Sequence, residues 1–151
     1  MRISNRTYRR DYETIETFEA GIALLGAEVK SVRAGNMKLE GAFVKIIGQE
    51  VFLVNADISI YKFSRPQGYE SKRTRKLLLH KKQITKLRTK LAGGTKLTIA
   101  PVSCYNKGNL FKLEIALCKG RREIEKKKLE RKADIKRAQK REAREYMKYD
   151  R

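Results

Sequence analysis

Leu97-Thr98-Ile99-Ala100-Pro101-Val102-Ser103-Cys104-Tyr105-Asn106-Lys107-Gly108-Asn109-Leu110-Phe111-Lys112-Leu113-Glu114-Ile115-Ala116-Leu117-Cys118 is the stretch that decides the fold. Apolar residues stand at Leu97 and Ile99, then at Val102 and Cys104, and then at Phe111, Leu113, Ile115 and Leu117 in strict alternation, the period of a half-buried strand. Asn106-Lys107-Gly108-Asn109 supplies turn residues between the two runs, so the stretch predicts a long antiparallel hairpin. With the turn centred there, Cys104 falls opposite Phe111, Ser103 opposite Lys112 and Cys118 opposite Leu97. The cysteines are then about seven residue pairs apart at about 3.4 Å each, beyond the reach of about 7 Å that a disulfide allows between Cα atoms.

Working outward, residues 41–61 carry a second hairpin signal: Ala-Phe-Val-Lys-Ile-Ile, then Gly48-Gln49, then Val-Phe-Leu-Val, with a further strand expected at Ile58–Tyr61. Residues 62–71, with Pro66 and Gly68, read as a surface loop. Leu77, Leu78 and Leu79 read as a buried strand flanked by basic residues. Ile84, Leu87 and Leu91 then form a helical stripe stopped by Gly93-Gly94. Residues 1–12 read as a basic arm leading to a strand near Tyr12–Glu16. From Thr17, the spacing of Phe18, Ile22, Leu25, Val29 and Val32 predicts helix, capped at Thr17 and stopped at Gly35. Gly21 and Gly26 interrupt that pattern at about 1 kcal/mol each, so two short helices broken near Gly26 are expected.

These elements fit a mainly β domain, an OB-like antiparallel barrel with about three short helices, better than a parallel sheet, which needs regular strand–helix alternation. After Gly120 the sequence has neither Pro nor Gly and few large apolar residues (Ile124, Leu129, Ile135, Met147). Residues 1–120 are therefore expected to form the barrel. Residues 121–151 form a basic tail, expected to be disordered when free and helical when docked.

The chain of 151 residues carries 37 Lys and Arg against 17 Asp and Glu, a net charge of +20. Up to Cys118 there are 22 basic and 10 acidic residues; the last 33 hold 15 and 7, so charge density is highest in the tail. Such a surplus opposes compaction and points to a polyanionic partner, nucleic acid first. Three clusters supply it: Arg2/Arg6/Arg9/Arg10, then Lys72/Arg73/Arg75/Lys76 with Lys81/Lys82, and the tail from Lys119. Tyrosines 8, 12, 61, 69 and 105 could stack on exposed bases. Lys112 interrupts its strand on the outward face, in reach of a backbone phosphate.

Other chemistries find little support. No run of 18 apolar residues and no apolar leader after Met1 occurs, so neither membrane contact nor export is expected and the protein is expected to be cytoplasmic. Two cysteines and one histidine are too few for a zinc site, and no cofactor loop is present, so no metal, no cofactor and no catalysis are expected. His80 beside the leucine run suits a structural or capping role. Glu19 and Glu28, nine residues apart on a helical pattern, make no evident acid/base dyad; Glu19 suits a surface carboxylate or a hydrogen-bond acceptor near RNA.

Longer blocks carry a resemblance: Asn5-Arg6; Glu16-Thr17-Phe18-Glu19-Ala20-Gly21-Ile22-Ala23-Leu24; Glu28-Val29-Lys30-Ser31-Val32-Arg33-Ala34-Gly35; Arg73-Thr74-Arg75-Lys76-Leu77-Leu78-Leu79; and Lys112 with Ala116-Leu117-Cys118-Lys119-Gly120. In these blocks and their order the chain resembles the small protein B, or SsrA-binding protein, family. The resemblance implies an OB-fold that binds the tRNA-like domain of transfer-messenger RNA (tmRNA, SsrA RNA) as a monomer. It also implies delivery of that RNA to stalled ribosomes for trans-translation, with the C-terminal tail at the small-subunit decoding region and in the empty mRNA channel. It places Glu19, Leu78 and Lys112 on the RNA-binding surface. With the basic clusters, the expected RNA-binding set is Asn5, Arg6, Glu19, Lys30, Arg33, Arg73, Arg75, Lys76, Leu78 and Lys112. The expected ribosome-binding set is Ile124, Glu125, Lys126, Lys127, Lys136 and Arg137, with Glu125-Lys126-Lys127 standing where the family has Asp-Lys-Arg. Arg10 stands where a His is usual, and Ile124 where an aromatic or His is usual, offering apolar contact without a π-face. The alternative is a generic OB-fold ribosomal or translation-factor RNA-binding protein.

Overall fold

Alternation of inward apolar and outward polar residues organises the computed structural model, which describes residues 1–61, 68–93 and 96–149. Its elements, in chain order, are β1 (Arg2–Ser4), α1 (Tyr8–Asp11), β2 (Tyr12–Ile22), α2 (Gly26–Arg33), β3 (Met37–Lys38), β4 (Phe43–Ile47), β5 (Glu50–Val54), β6 (Asp57–Ile58), β7 (Arg75–Leu78), α3 (Lys81–Gly93), β8 (Leu97–Lys107), β9 (Leu110–Gly120) and α4 (Glu123–Tyr149). The chain divides into two compact units, Met1–Gly120 and Arg121–Arg151.

In the first unit seven strands form a sheet in the order β1-β8-β4-β5-β7-β2-β9, an additional β8–β9 pairing closes it into a ring with β1 lying outside, and β3 and β6 pair as a separate two-stranded sheet. Every pairing is antiparallel. This is the expected OB-like barrel. Its interior holds Phe18, Val44, Val51, Leu53, Leu77, Ile99, Leu113, Ile115 and Leu117, and Ile84 and Leu87 of α3 join the same core. The Gly48-Gln49 hairpin falls where expected, with Gly48 at φ 63°, a conformation glycine adopts without steric cost.

Two β-bulges curl the sheet. Ile15 is the extra residue between the pairs Thr14↔Cys118 and Glu16↔Leu117, and Val102 the extra residue between Pro101↔Ile115 and Ser103↔Glu114. Each bulge adds twist and flips the facing of the residues beyond it. Ala100, with Ala116 and Cys118 on the outward phase of β9, faces outward, where Tyr8 of α1 covers the three with Tyr12 and Val102 in a small second core. Tyr8 also shares a hydrogen bond of 2.7 Å with Thr14 Oγ1.

Three expectations are corrected. The first helix from Thr17 is strand: Phe18, Ala20 and Ile22 share the inward face of β2, a period-two reading that Ala20 hides by being small, and helix begins only at Gly26. Within the arm, Arg2–Ser4 forms β1 and pairs with β8. The strand expected at Ile58–Tyr61 is Asp57–Ile58. The β8–β9 register is also displaced, because the turn is the two-residue Gly108-Asn109: Cys104 faces Leu113, Lys112 faces Tyr105, and Thr98 faces Cys118. Both cysteines remain free and buried. Residues 62–67 and Gly94 lie outside the described residues.

Candidate RNA-binding site

The pairing register sets five residues side by side across the outer face of adjacent strands. Arg2 (β1) pairs with Tyr105 (β8), Tyr105 with Lys112 (β9), Lys112 with Gly21 (β2), and Gly21 with Leu78 (β7). The next row is Ser4, Ser103, Glu114 and Glu19. Gly21 gives the first row a floor without a side chain, and Glu19, Gly21, Leu78, Leu79, His80, Gln83 and Lys112 line an open depression over it. Leu78 is 57% exposed while its neighbour Leu77 is 2% exposed. The leucine run is thus one core residue followed by one surface residue, and Leu78 belongs to the outer face.

Glu19 is held from two sides. Its Oε2 accepts a short hydrogen bond from the Tyr105 hydroxyl, and its Oε1 accepts one from Lys107 Nζ at 3.3 Å. The Tyr105 bond, followed by the lysines, keeps the Glu19 carboxyl below the usual carboxylate range. The same bond, with some burial, pushes the Tyr105 phenol up to about 12. At neutral pH the carboxylate is charged and the phenol remains a donor. Arg2 stacks its guanidinium 4.9 Å from the Tyr105 ring centroid and lies 3.9 Å from Glu114, which accepts from Ser103 Oγ at 3.2 Å.

Glu19, Leu78 and Lys112 therefore converge; the other expected RNA contacts do not. Arg75 is fully buried, so it is corrected from RNA ligand to core ion pair. Its Nε and Nη2 donate to Glu28 Oε2 at 2.9 and 2.5 Å, and its Nη1 donates to the Ala56 carbonyl at 2.7 Å. Arg73 Nη2 donates to Glu28 Oε1 at 2.5 Å, and the Leu25 N–H at the start of α2 donates to the same oxygen at 2.9 Å. Burial alone would raise the Glu28 carboxyl, but these bonds outweigh it and hold it low. Asn5 is also buried, donating to the Pro101 carbonyl at 2.9 Å. Tyr8 is buried too, and Tyr69 donates to the Ile58 carbonyl at 2.8 Å, so neither is a free stacking platform.

The remaining cations lie apart. Arg6 shares a groove with Arg2 and Lys38, Arg33 borders the turn at Gly108 and Asn109, Lys30 Nζ lies 5.5 Å from the Tyr61 ring centroid, and Lys76 pairs with Glu50 at 3.5 Å. His80 caps α3 through its backbone: its N–H donates to Gln83 Oε1 at 3.3 Å, and its carbonyl accepts from the Gln83 N–H at 2.9 Å. Sequence reasoning missed Gly21, Tyr105 as the clamp on Glu19, and Glu28. The signal for Gly21 was present, since a glycine inside a strand marks a close approach.

In the second unit, α4 spans 27 residues, and none of residues 123–148 is buried. Ile124, Glu125, Lys127 and Lys136 are exposed; Lys126 pairs with Glu123 at 3.4 Å and Arg137 with Asp134 at 4.0 Å.

The outer face of this basic barrel gathers Glu19, Leu78 and Lys112 around a glycine floor, and the SmpB protein family profile matches residues 2–145 of the chain. The chain belongs to the SmpB family. It is 44% identical to the SsrA-binding protein of Deinococcus radiodurans, covering 94% of this chain and 96% of that one. It is 46% identical to the SsrA-binding protein of Mesomycoplasma hyopneumoniae, covering 97% and 95%. Among solved structures it resembles a chain described under "tmRNA-SmpB: a journey to the center of the bacterial ribosome", with a TM-score of 0.67 and 38% identity over 81% of this chain and 85% of that one. Among the described residues, no helix is long and apolar enough to cross a membrane.

Proposed function

We propose that this SmpB-family protein is a non-enzymatic, cytoplasmic adaptor that binds the tRNA-like domain of tmRNA and delivers it to stalled ribosomes for trans-translation. The observation that carries this reading is the convergence of Glu19, Leu78 and Lys112 on one outer face of a basic barrel in an SmpB-family chain. Lys112 neutralises phosphate, Leu78 offers an exposed apolar contact, and Glu19 accepts hydrogen bonds, a combination that reads RNA shape and unpaired bases rather than charge alone. Arg2, Arg6 and Lys38 add a neighbouring basic groove for the backbone.

The tail acts on the ribosome. It is too poor in apolar residues to offset its own ordering entropy by packing, so on the free protein its helix is in exchange with disordered chain, and it is held fully helical where ribosomal RNA neutralises its surplus charge. As the helix Glu123–Tyr149 it is about 40 Å long at 1.5 Å per residue, suited to lining the empty mRNA channel, with Ile124, Glu125, Lys126 and Lys127 near the decoding region and Lys136 and Arg137 further along.

Sequencing the RNA that copurifies with the protein tests this reading. A single dominant tRNA-like species is the expected result. A mixture of structured RNAs in proportion to their abundance would instead make the protein a generic OB-fold RNA binder.

A further inference from the structure

A carboxylate is an unusual group in a phosphate-binding surface, and Glu19 is kept ionised there rather than neutralised. Its two oxygens offer about four acceptor positions; Tyr105 and Lys107 occupy one on each oxygen. The carboxylate is thereby fixed at the edge of the depression over Gly21, with acceptor capacity remaining on both oxygens. The depression measures about 380 Å³, within the 300–1,000 Å³ or so of pockets that hold one drug-sized molecule. Its floor is the glycine backbone, Leu78 forms one apolar wall, and Lys112 stands on the other side.

From this geometry we propose that the depression takes a single unpaired guanine of the bound RNA, whose N1–H and N2–H both donate to the Glu19 carboxylate. The inference rests on the tmRNA reading above and adds a base identity to it. The chemistry selects guanine because an ionised carboxylate only accepts. Guanine presents two adjacent donors on its Watson–Crick edge. Adenine and cytosine set a ring acceptor beside their amino group, and uracil flanks its one imino donor with carbonyls. The missing side chain at Gly21 lets the base approach the sheet, Leu78 packs against its apolar surface, and Lys112 meets the adjoining phosphate. Tyr105 is a positioning residue: its hydroxyl holds the carboxylate in place without touching the base.

The test uses the full-length protein and transcripts of the tRNA-like domain of tmRNA in which each unpaired guanosine, one at a time, is replaced by adenosine or inosine. One position is expected where adenosine costs the wild-type protein about 10- to 100-fold in affinity, the discrimination of a bidentate contact. Inosine, lacking only the N2 amino group, costs less there. Glu19→Gln, whose amide donates as well as accepts, removes or reverses the adenosine penalty at that position; Tyr105→Phe reduces it. Lys112→Ala lowers affinity for every transcript while keeping the penalty. The proposal is overturned if no position shows such a penalty, or if Glu19→Gln weakens all transcripts by one common factor. If the wild-type protein binds the tRNA-like domain no better than a structured RNA of equal length, the underlying reading fails, and this proposal with it.

Discussion

The Cβ that Gly21 lacks would lie 3.2 Å from the Cβ of Leu78. A side chain at this point of β2 presses on the neighbour across the strand pair and makes Leu78 move by a few tenths of an ångström. The two residues define the floor and wall of the same depression, so one substitution tests the geometry of the site without removing any contacting group. Gly21→Ala is expected to weaken tmRNA binding several-fold while the urea midpoint moves little, as measured by filter binding and equilibrium unfolding.

Leu77 and Leu78 should separate stability from function. Leu77 is buried in the barrel, and Leu77→Ala is expected to cost about 2–5 kcal/mol of folding stability. Leu78 projects outward, and Leu78→Ala is expected to change stability by no more than about 0.5 kcal/mol while lowering RNA affinity. Equal destabilisation by both would place Leu78 in the core.

Lys112→Ala should lower tmRNA affinity and reduce the slope of log affinity against log salt by about 0.7–0.9, the effect of one lost phosphate contact. An unchanged slope in a folded variant would remove Lys112 from the phosphate-contacting set.

The Glu28–Arg75 pair makes an acid-stability prediction. The folded Glu28 carboxyl is held below its unfolded value, so it binds its proton less readily in the native state. The stability it contributes is present above the unfolded carboxyl value of about 4.3 and is lost as pH falls through the lower folded value. Arg75→Ala leaves the buried Glu28 carboxylate short of its main partner and is expected to cost about 3–5 kcal/mol at pH 7. Denaturant midpoints measured from pH 3 to 7 check the direction.

At the alkaline end the cysteines act in the opposite sense. Burial pushes the thiols of Cys104 and Cys118 up to about 11. Stability from these neutral thiols is complete below the unfolded value of about 8.5 and declines as pH rises toward 11. A thiol reagent at pH 8 should react slowly with the native protein and titrate two thiols once it is denatured without reductant. Fewer than two would reveal a disulfide.

What the sequence made legible was whatever a simple period governs. The alternation from Phe111 to Leu117, the Gly48-Gln49 turn and the stripe Ile84, Leu87, Leu91 all appear as read. The shift from odd Leu97 and Ile99 to even Cys104 already contained the bulge at Val102, because only an extra residue lets odd and even positions of one strand face the same core. The bulge at Ile15 was less visible: it follows Tyr12 and Thr14, whose outward packing depends on α1, and Ala20 is too small to mark the core face. Glu19, Leu78 and Lys112 could be named from family blocks, yet nothing local shows that three strands bring them together through Gly21. Arg73 and Arg75 looked alike beside Lys72 and Lys76, and only the fold turns Arg75 inward to Glu28.

The most direct measurement of the adaptor account is truncation after Gly120, where the two units meet in the sequence. If the barrel binds tmRNA and the tail acts on the ribosome, residues 1–120 keep tmRNA affinity within a few-fold of the full chain and lose all tagging of stalled nascent chains in a reconstituted translation assay. A truncated protein that still supports tagging contradicts the role of the tail, and one that no longer binds tmRNA contradicts the placement of the RNA site on the barrel.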